Sequence, residues 1–131
     1  MKHLEMLEAL CMKAMQTAQL HPEVEQVTAV QTSTGNIHFV LDSPLQSNFD
    51  TSAENQLIDV LKRTCDTHIL MIVTVWNRQE VDIPTISLRT RLVELDIRNR
   101  DALLLLYGEH GRHARILHTT LPPSMQNYPS L

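Results

Sequence analysis

The sequence predicts a three-layer α-β-α fold around a five-stranded mixed sheet, in the order helix, two strands, helix, strand, helix, two strands. Three observations carry this prediction. Apolar residues recur at three- and four-residue steps in three separate stretches, the pattern of helices with one buried face. Two pairs of shorter runs rich in β-branched or large apolar residues are each joined by a glycine-containing turn, the pattern of hairpins. Between them, from His68 to Trp76, the chain is almost unbroken Ile, Leu, Met and Val. That composition suits a strand covered by helices on both faces.

Leu4, Leu7, Leu10, Cys11, Ala14, Met15 and Ala18 form the apolar stripe of a first helix, which ends before His21-Pro22. Its methionines are read as core filling, the commoner use of that side chain. Val24 to Thr32 and Asn36 to Asp42 read as antiparallel strands around Ser33-Thr34-Gly35. Asp50-Thr51-Ser52 offers capping oxygens for a second helix, in which Leu57, Ile58, Leu61 and Cys65 make the buried stripe. Pro84 suits the first turn of a third helix, with Leu88, Leu92 and Leu95 as its ridge and Arg89, Arg91 and Glu94 on its polar face. Ala102 to Tyr107 and Arg115 to Thr119 are the last two runs, separated by Gly108-Glu109-His110-Gly111. Residues 1–121 are expected to form a single domain, with 122–131 as a short tail.

Composition excludes several functions. The chain has 131 residues, enough for one core and too few for two independent domains. A formal charge of -4 gives no global positive field for a phosphate backbone, so nucleic acid is not an expected partner. Three glycines and 4% aromatic residues leave little material for phosphate-cradling loops or base-stacking platforms. No apolar run approaches the length of a membrane span, and charge interrupts the amino terminus, so neither membrane insertion nor export is expected. Two cysteines make no disulfide framework, and a reducing cytoplasm is the expected compartment. Cys11 and Cys65 read as buried, inert thiols, since each sits on an apolar helical stripe.

The two later helix starts narrow the fold. Thr51-Ser52-Ala53-Glu54 opens the second and Pro84-Thr85-Ile86-Ser87-Leu88-Arg89 the third. This pairing resembles the cytidine deaminase family of zinc enzymes, including free-nucleoside and blasticidin S deaminases, whose second helix opens Cys/His-Ala-Glu and third Pro-Cys-x-x-Cys-Arg. Gly35-Asn36-Ile37-His38-Phe39, Leu92-Val93-Glu94-Leu95, Gly111-Arg112-His113 and Thr120-Leu121-Pro122 extend the likeness over most of the chain. On these frames the resemblance places Ser52, Thr85 and Leu88 at the three metal-ligand positions, while Ala53, Glu54, Pro84 and Arg89 match the family. It implies a proton-shuttling role for the Glu54 position.

Serine and threonine hydroxyls are poor zinc ligands at neutral pH, and leucine is none. Without the metal, water stays almost wholly un-ionised at pH 7, and general acid/base help of roughly 10²–10⁴-fold from Glu54 does not replace it. The expectation is therefore no zinc, no other cofactor and no ordinary deamination. A second reading of Glu54 is structural, because Thr51-x-x-Glu54 fits a capping box. Arg89 and Glu54 are expected to pair across the vacated metal position. Where the family grips a ribose with Asn-x-Glu, this chain has Asp42-Ser43-Pro44, and the Pro44 side chain cannot hydrogen-bond a sugar. Trp76 and Phe39 read as packing residues. His110, His113 and His118 read as a solvated turn, and Arg89, Arg91, Arg98 and Arg100, interleaved with Glu94, Asp96 and Asp101, as a salt-bridged face.

Two functions from different classes follow. The first is a catalytically inactive, metal-free deaminase-like protein acting as a binding, assembly or regulatory module. The resemblance implies a homo-oligomer, dimer or tetramer, or a mixed oligomer with an active relative. The second is an enzyme acting on a nucleoside-like small molecule in the same cleft, with Glu54 as base and Ser52 or Thr85 as donor or nucleophile, or a true nucleoside deaminase if the ligand frame is shifted.

Overall fold

The computed structural model describes residues 2–43, 52–77 and 79–126. The elements are α1 (Lys2–Leu20), β1 (Gln26–Thr32), β2 (Ile37–Asp42), α2 (Ser52–Arg63), β3 (Ile69–Trp76), β4 (Glu80–Asp82), α3 (Ile86–Leu95), β5 (Leu103–Gly108), β6 (Gly111–Ile116) and α4 (Pro123–Gln126). Five strands lie in the order β2-β1-β3-β5-β6, with β3 and β5 parallel and the other neighbours antiparallel. The expected α/β fold and its element order are therefore present, with one addition. A sixth strand, β4, pairs antiparallel with the end of β3, Thr74 opposite Asp82 and Trp76 opposite Glu80. Its three residues, Glu-Val-Asp, carry no apolar run by which sequence could reveal it.

Both faces of β3 are covered. On one, Leu7, Leu10, Cys11 and Ala14 of α1 pack against Val27, Ala29, Val73 and Val75. On the other, Leu57 and Leu61 of α2 and Leu88 and Leu92 of α3 pack against Val30, Ile72 and Leu104. Alternation along the strands sends neighbouring side chains to opposite layers, which is why β3 is apolar at every position but Thr74. Among the described residues no helix is long and apolar enough to cross a membrane.

Three boundaries differ from expectation. Pro84 precedes α3, whose cap is Thr85, so the proline constrains the approach to the helix and not its first turn. The final strand is β6, over Gly111–Ile116, and Leu117–Thr120 is a 3₁₀ turn. The tight turn at Glu109-His110, with Gly111 at φ +95°, fixes this register by pairing Gly108 with Gly111. The side chains of β6 from His113 to Ile116 are exposed, which removes the apolar signal from the strand. Cys65 is exposed, in contrast to Cys11, because α2 stops before its stripe reaches that position. Cys65 takes φ +54° while its N–H donates to Lys62 O and that of Asp66 to Leu61 O, which closes the helix end in a Schellman motif. Replacing Cys65 by glycine, which enters this region without a Cβ penalty, should raise stability by about 0.5–1 kcal/mol in urea denaturation.

Two polar side chains tie α3 to the sheet. Asn99, fully buried, accepts from Ile69 N–H at 2.6 Å and donates to Thr67 O and Leu92 O. Asp96 ends α3 and caps the following 3₁₀ turn, accepting from Arg98 Nη2 at 2.7 Å and from the Thr67 hydroxyl at 3.0 Å. The Arg98 guanidinium chiefly, with its backbone N–H and Thr67 adding and burial opposing, holds the Asp96 carboxyl at about 2 against an ordinary 3.8. A carboxyl depressed on folding stabilises above its unfolded value and loses that contribution as pH falls through the folded one. The window is thus from about pH 4 down to about 2. With Arg98 largely exposed, the contribution is about 1–2 kcal/mol, and Asp96→Asn should remove it and flatten acid denaturation across that window.

Candidate functional site

The starts of α2 and α3 meet because of the chain's path. α2 runs down to the beginning of β3, so its own start lies toward the end of β3, and α3 departs from that same end to return for the parallel strand β5. Glu54 in the first turn of α2 and Thr85 at the cap of α3 make the contact. The Thr85 hydroxyl accepts from Leu88 N–H at 3.1 Å and donates to Glu54 Oε2 at 2.6 Å. One oxygen thus caps a helix and holds a carboxylate.

The Glu54 side chain is 8% exposed, and its second oxygen, Oε1, has no hydrogen-bond partner. The cation facing it is Arg91, with Nη1 at 3.9 Å from Oε1, an ion-pair distance too long for a hydrogen bond. The expected Arg89–Glu54 pair does not form. Arg89 is buried instead of lying on the polar face of α3, and it turns away from Glu54. Its Nε donates to Pro84 O at 2.9 Å, and its Nη1 to Thr120 O at 2.6 Å and Thr120 Oγ1 at 3.0 Å. Burial pushes its pKa below the ordinary value. The carbonyl oxygens that end nearby turns satisfy this guanidinium, so Arg89 clamps the segment after β6 onto the start of α3.

Leu88 is 2% exposed and belongs to the core between α3 and the sheet. Ser52 is the first residue of α2, and its side chain lies outside the described residues, as do Thr51, with the capping box proposed for it, and Pro44. Asp42 ends β2, and its Oδ1 accepts from the Ser43 N–H at 2.8 Å. Trp76 ends β3, half-buried, and Phe39 is exposed on β2. Of the arginines read as one face, Arg98 pairs with Asp96, while Arg100 lies against His118, its Nη2 3.2 Å from both ring nitrogens.

Sequence reasoning missed three polar groups. Arg91 supplies the charge that Arg89 was expected to supply, and on a helix the two positions differ by only two residues. Thr28 and Thr74 face each other across β1 and β3 with hydroxyl oxygens 2.7 Å apart, both buried, on the sheet face beneath α2 and α3. A threonine inside the apolar run Ile69–Trp76 was the available signal.

No family model and no curated protein matches the sequence. Among solved structures, the chain is similar to a mutant of cytidine deaminase from Mycobacterium tuberculosis, with TM-score 0.63 and 19% identity over 88% of this chain and 94% of that one. The likeness is one of fold: an α/β domain with a mixed sheet and the same order of elements.

The double duty of Thr85 sets an expectation for stability. Thr85→Val removes both the cap and the Glu54 contact at nearly constant volume and should cost about 1–3 kcal/mol in thermal or urea denaturation, whereas Thr85→Ser should cost less than about 1.

Proposed function

We propose that this chain is a metal-free, catalytically inactive protein on the cytidine deaminase fold, acting as a binding or assembly module. The observation that carries this reading is the state of the two ligand-frame positions that open α3. Leu88 offers only hydrocarbon, buried in the core, and the Thr85 hydroxyl is committed to a helix cap and to Glu54. Zinc in such a site needs thiolate or imidazole donors at about 2.0–2.3 Å. These residues do not fit the ion. Among the described residues, no three His, Cys, Asp or Glu side chains converge as a metal-binding group. The sugar-gripping frame is altered in the same direction, with Asp42 turned onto its own chain at Ser43.

Glu54 keeps its position but not its task. A buried carboxylate with one oxygen held and the other lacking a donor is an acceptor for an N–H or O–H of a small ligand. Without an electrophile to generate hydroxide, such a site binds and does not hydrolyse.

A second reading rests on one contact. Thr85 Oγ1 lies 2.6 Å from Glu54 Oε2, within the range for a hydroxyl activated by a general base. In that reading Thr85 attacks and Glu54 takes its proton. The cap bond from Leu88 N–H works against it, because an N–H donated to one of the two lone pairs lowers the nucleophilicity of the oxygen.

Metal analysis of the purified, dialysed chain together with a cytidine deamination assay separates these readings. The expected result is less than about a tenth of an equivalent of zinc and no ammonia release above the uncatalysed rate. Stoichiometric zinc with ammonia release overturns the proposal. Turnover without zinc that is lost in Thr85→Val and in Glu54→Gln supports the second reading instead.

A further inference from the structure

We infer that two copies of this chain pair through the outer edge of β2, the strands running antiparallel to make one continuous sheet. The inference deepens the assembly role proposed above by naming its surface and partner. It begins from a contrast between β2 and β6, the strands that end the sheet, neither of which has an outer neighbour strand among the described residues. β6 carries Arg112, His113 and Arg115, charged or ionisable side chains of the kind that discourage strand addition. β2 reads Ile37-His38-Phe39-Val40-Leu41-Asp42, with no lysine, arginine or proline and no shift in its register against β1. Phe39 and Leu41 are 38% and 37% exposed. A strand edge of this composition is a template for pairing unless something covers it.

The backbone phase says which groups are offered. Thr32 N–H donates to Asn36 O, and the register pairs Val30 with His38 and Thr28 with Val40. Hydrogen-bonded pairs alternate in an antiparallel ladder, so the even-numbered residues of β2 turn their backbone groups to β1. The N–H and C=O of Ile37, Phe39 and Leu41 therefore point outward.

What satisfies these groups is an extended strand, and β2 is complementary to itself. A two-fold axis through Val40 sets Phe39 across from the partner's Leu41, which joins the exposed apolar side chains on the α1 face. On the other face, Val40 meets its own copy across the axis, while His38 stays with its own chain, its Nε2 3.6 Å from Asp66 Oδ2. A groove of about 430 Å³ between β2 and α2, lined by Val40, Ala53, Gln56, Leu57 and Val60 among others, receives the side chains that the incoming strand turns toward α2. Backbone polarity and apolar surface thus match in one arrangement of two identical strands.

Sedimentation velocity on the full chain from about 1 to about 200 µM tests this. The wild type is expected to dimerise, and Phe39→Lys with Leu41→Lys to weaken the dimer at least about tenfold, while Tyr107→Lys, on the β5–β6 hairpin, leaves it unchanged. Circular dichroism confirms that the variants fold. Should the double variant not fold, amide exchange in the wild type decides: the N–H groups of Ile37, Phe39 and Leu41 are expected to slow as concentration rises, and those of β6 to keep their rates. A monomer throughout the range overturns the inference, as does a dimer indifferent to the lysines or one whose β2 amides exchange as fast as in dilute solution. A monomer that captures a foreign extended peptide at β2 overturns it too. The zinc and ammonia measurements are independent of these. A monomer without zinc sinks the β2 dimer alone, and a dimer that deaminates sinks the inactive module alone.

Discussion

β3 has to be covered on both faces, and that constraint organises the molecule. From Met71 to Val75 every side chain of the strand is buried, so α1 must close one side and α2 with α3 the other. Once α2 leads into β3 and α3 leaves it for the parallel β5, the starts of α2 and α3 are brought to the same end of the strand. Glu54 and Thr85 meet there because of the topology of a hydrophobic strand. The site is a by-product of how the core is closed, which is why it can persist whether or not it carries chemistry.

At that junction one hydroxyl does the work of two groups. Thr85 satisfies an orphan N–H of α3 and at the same time holds the carboxylate of α2. The Thr85 oxygen is thereby fixed between the two helix starts, one bond accepted and one donated. Leu88, one turn further, belongs to the core rather than to the cleft. Thr85 and Leu88 thus serve the helix start and the core.

The fate of Arg89 shows the limit of reasoning from charge alone. Two opposite charges at facing helix starts invite pairing, and the pair is absent because carbonyl oxygens were competing for the cation. Pro84 has no N–H, and its carbonyl lies open to Arg89 Nε, while the Thr120 carbonyl ends a 3₁₀ turn with no strand or helix to use it. Unsatisfied backbone acceptors are common at such places, yet nothing in the sequence marks which will face a given guanidinium. Arg91 then takes the ion-pair position at a longer, partly solvated distance.

Periodicity determined the fold class and the element order, and the motif at the two helix starts determined which positions to watch. Those signals are local: burial on one face repeats at 3.6 or 2 residues and is written into neighbouring letters. Elements whose stability comes from a partner were not legible. β4 exists only because β3 extends past β5 and offers it an edge, β6 is a strand by pairing with β5 while its side chains face water, and Cys65 is exposed because the helix stops one turn earlier than its apolar stripe. The direction of Arg89, the union of Thr28 with Thr74 and the single unpartnered oxygen of Glu54 belong to the same class. Each depends on which groups remain free after the backbone has closed, and that is settled only when distant segments come into contact.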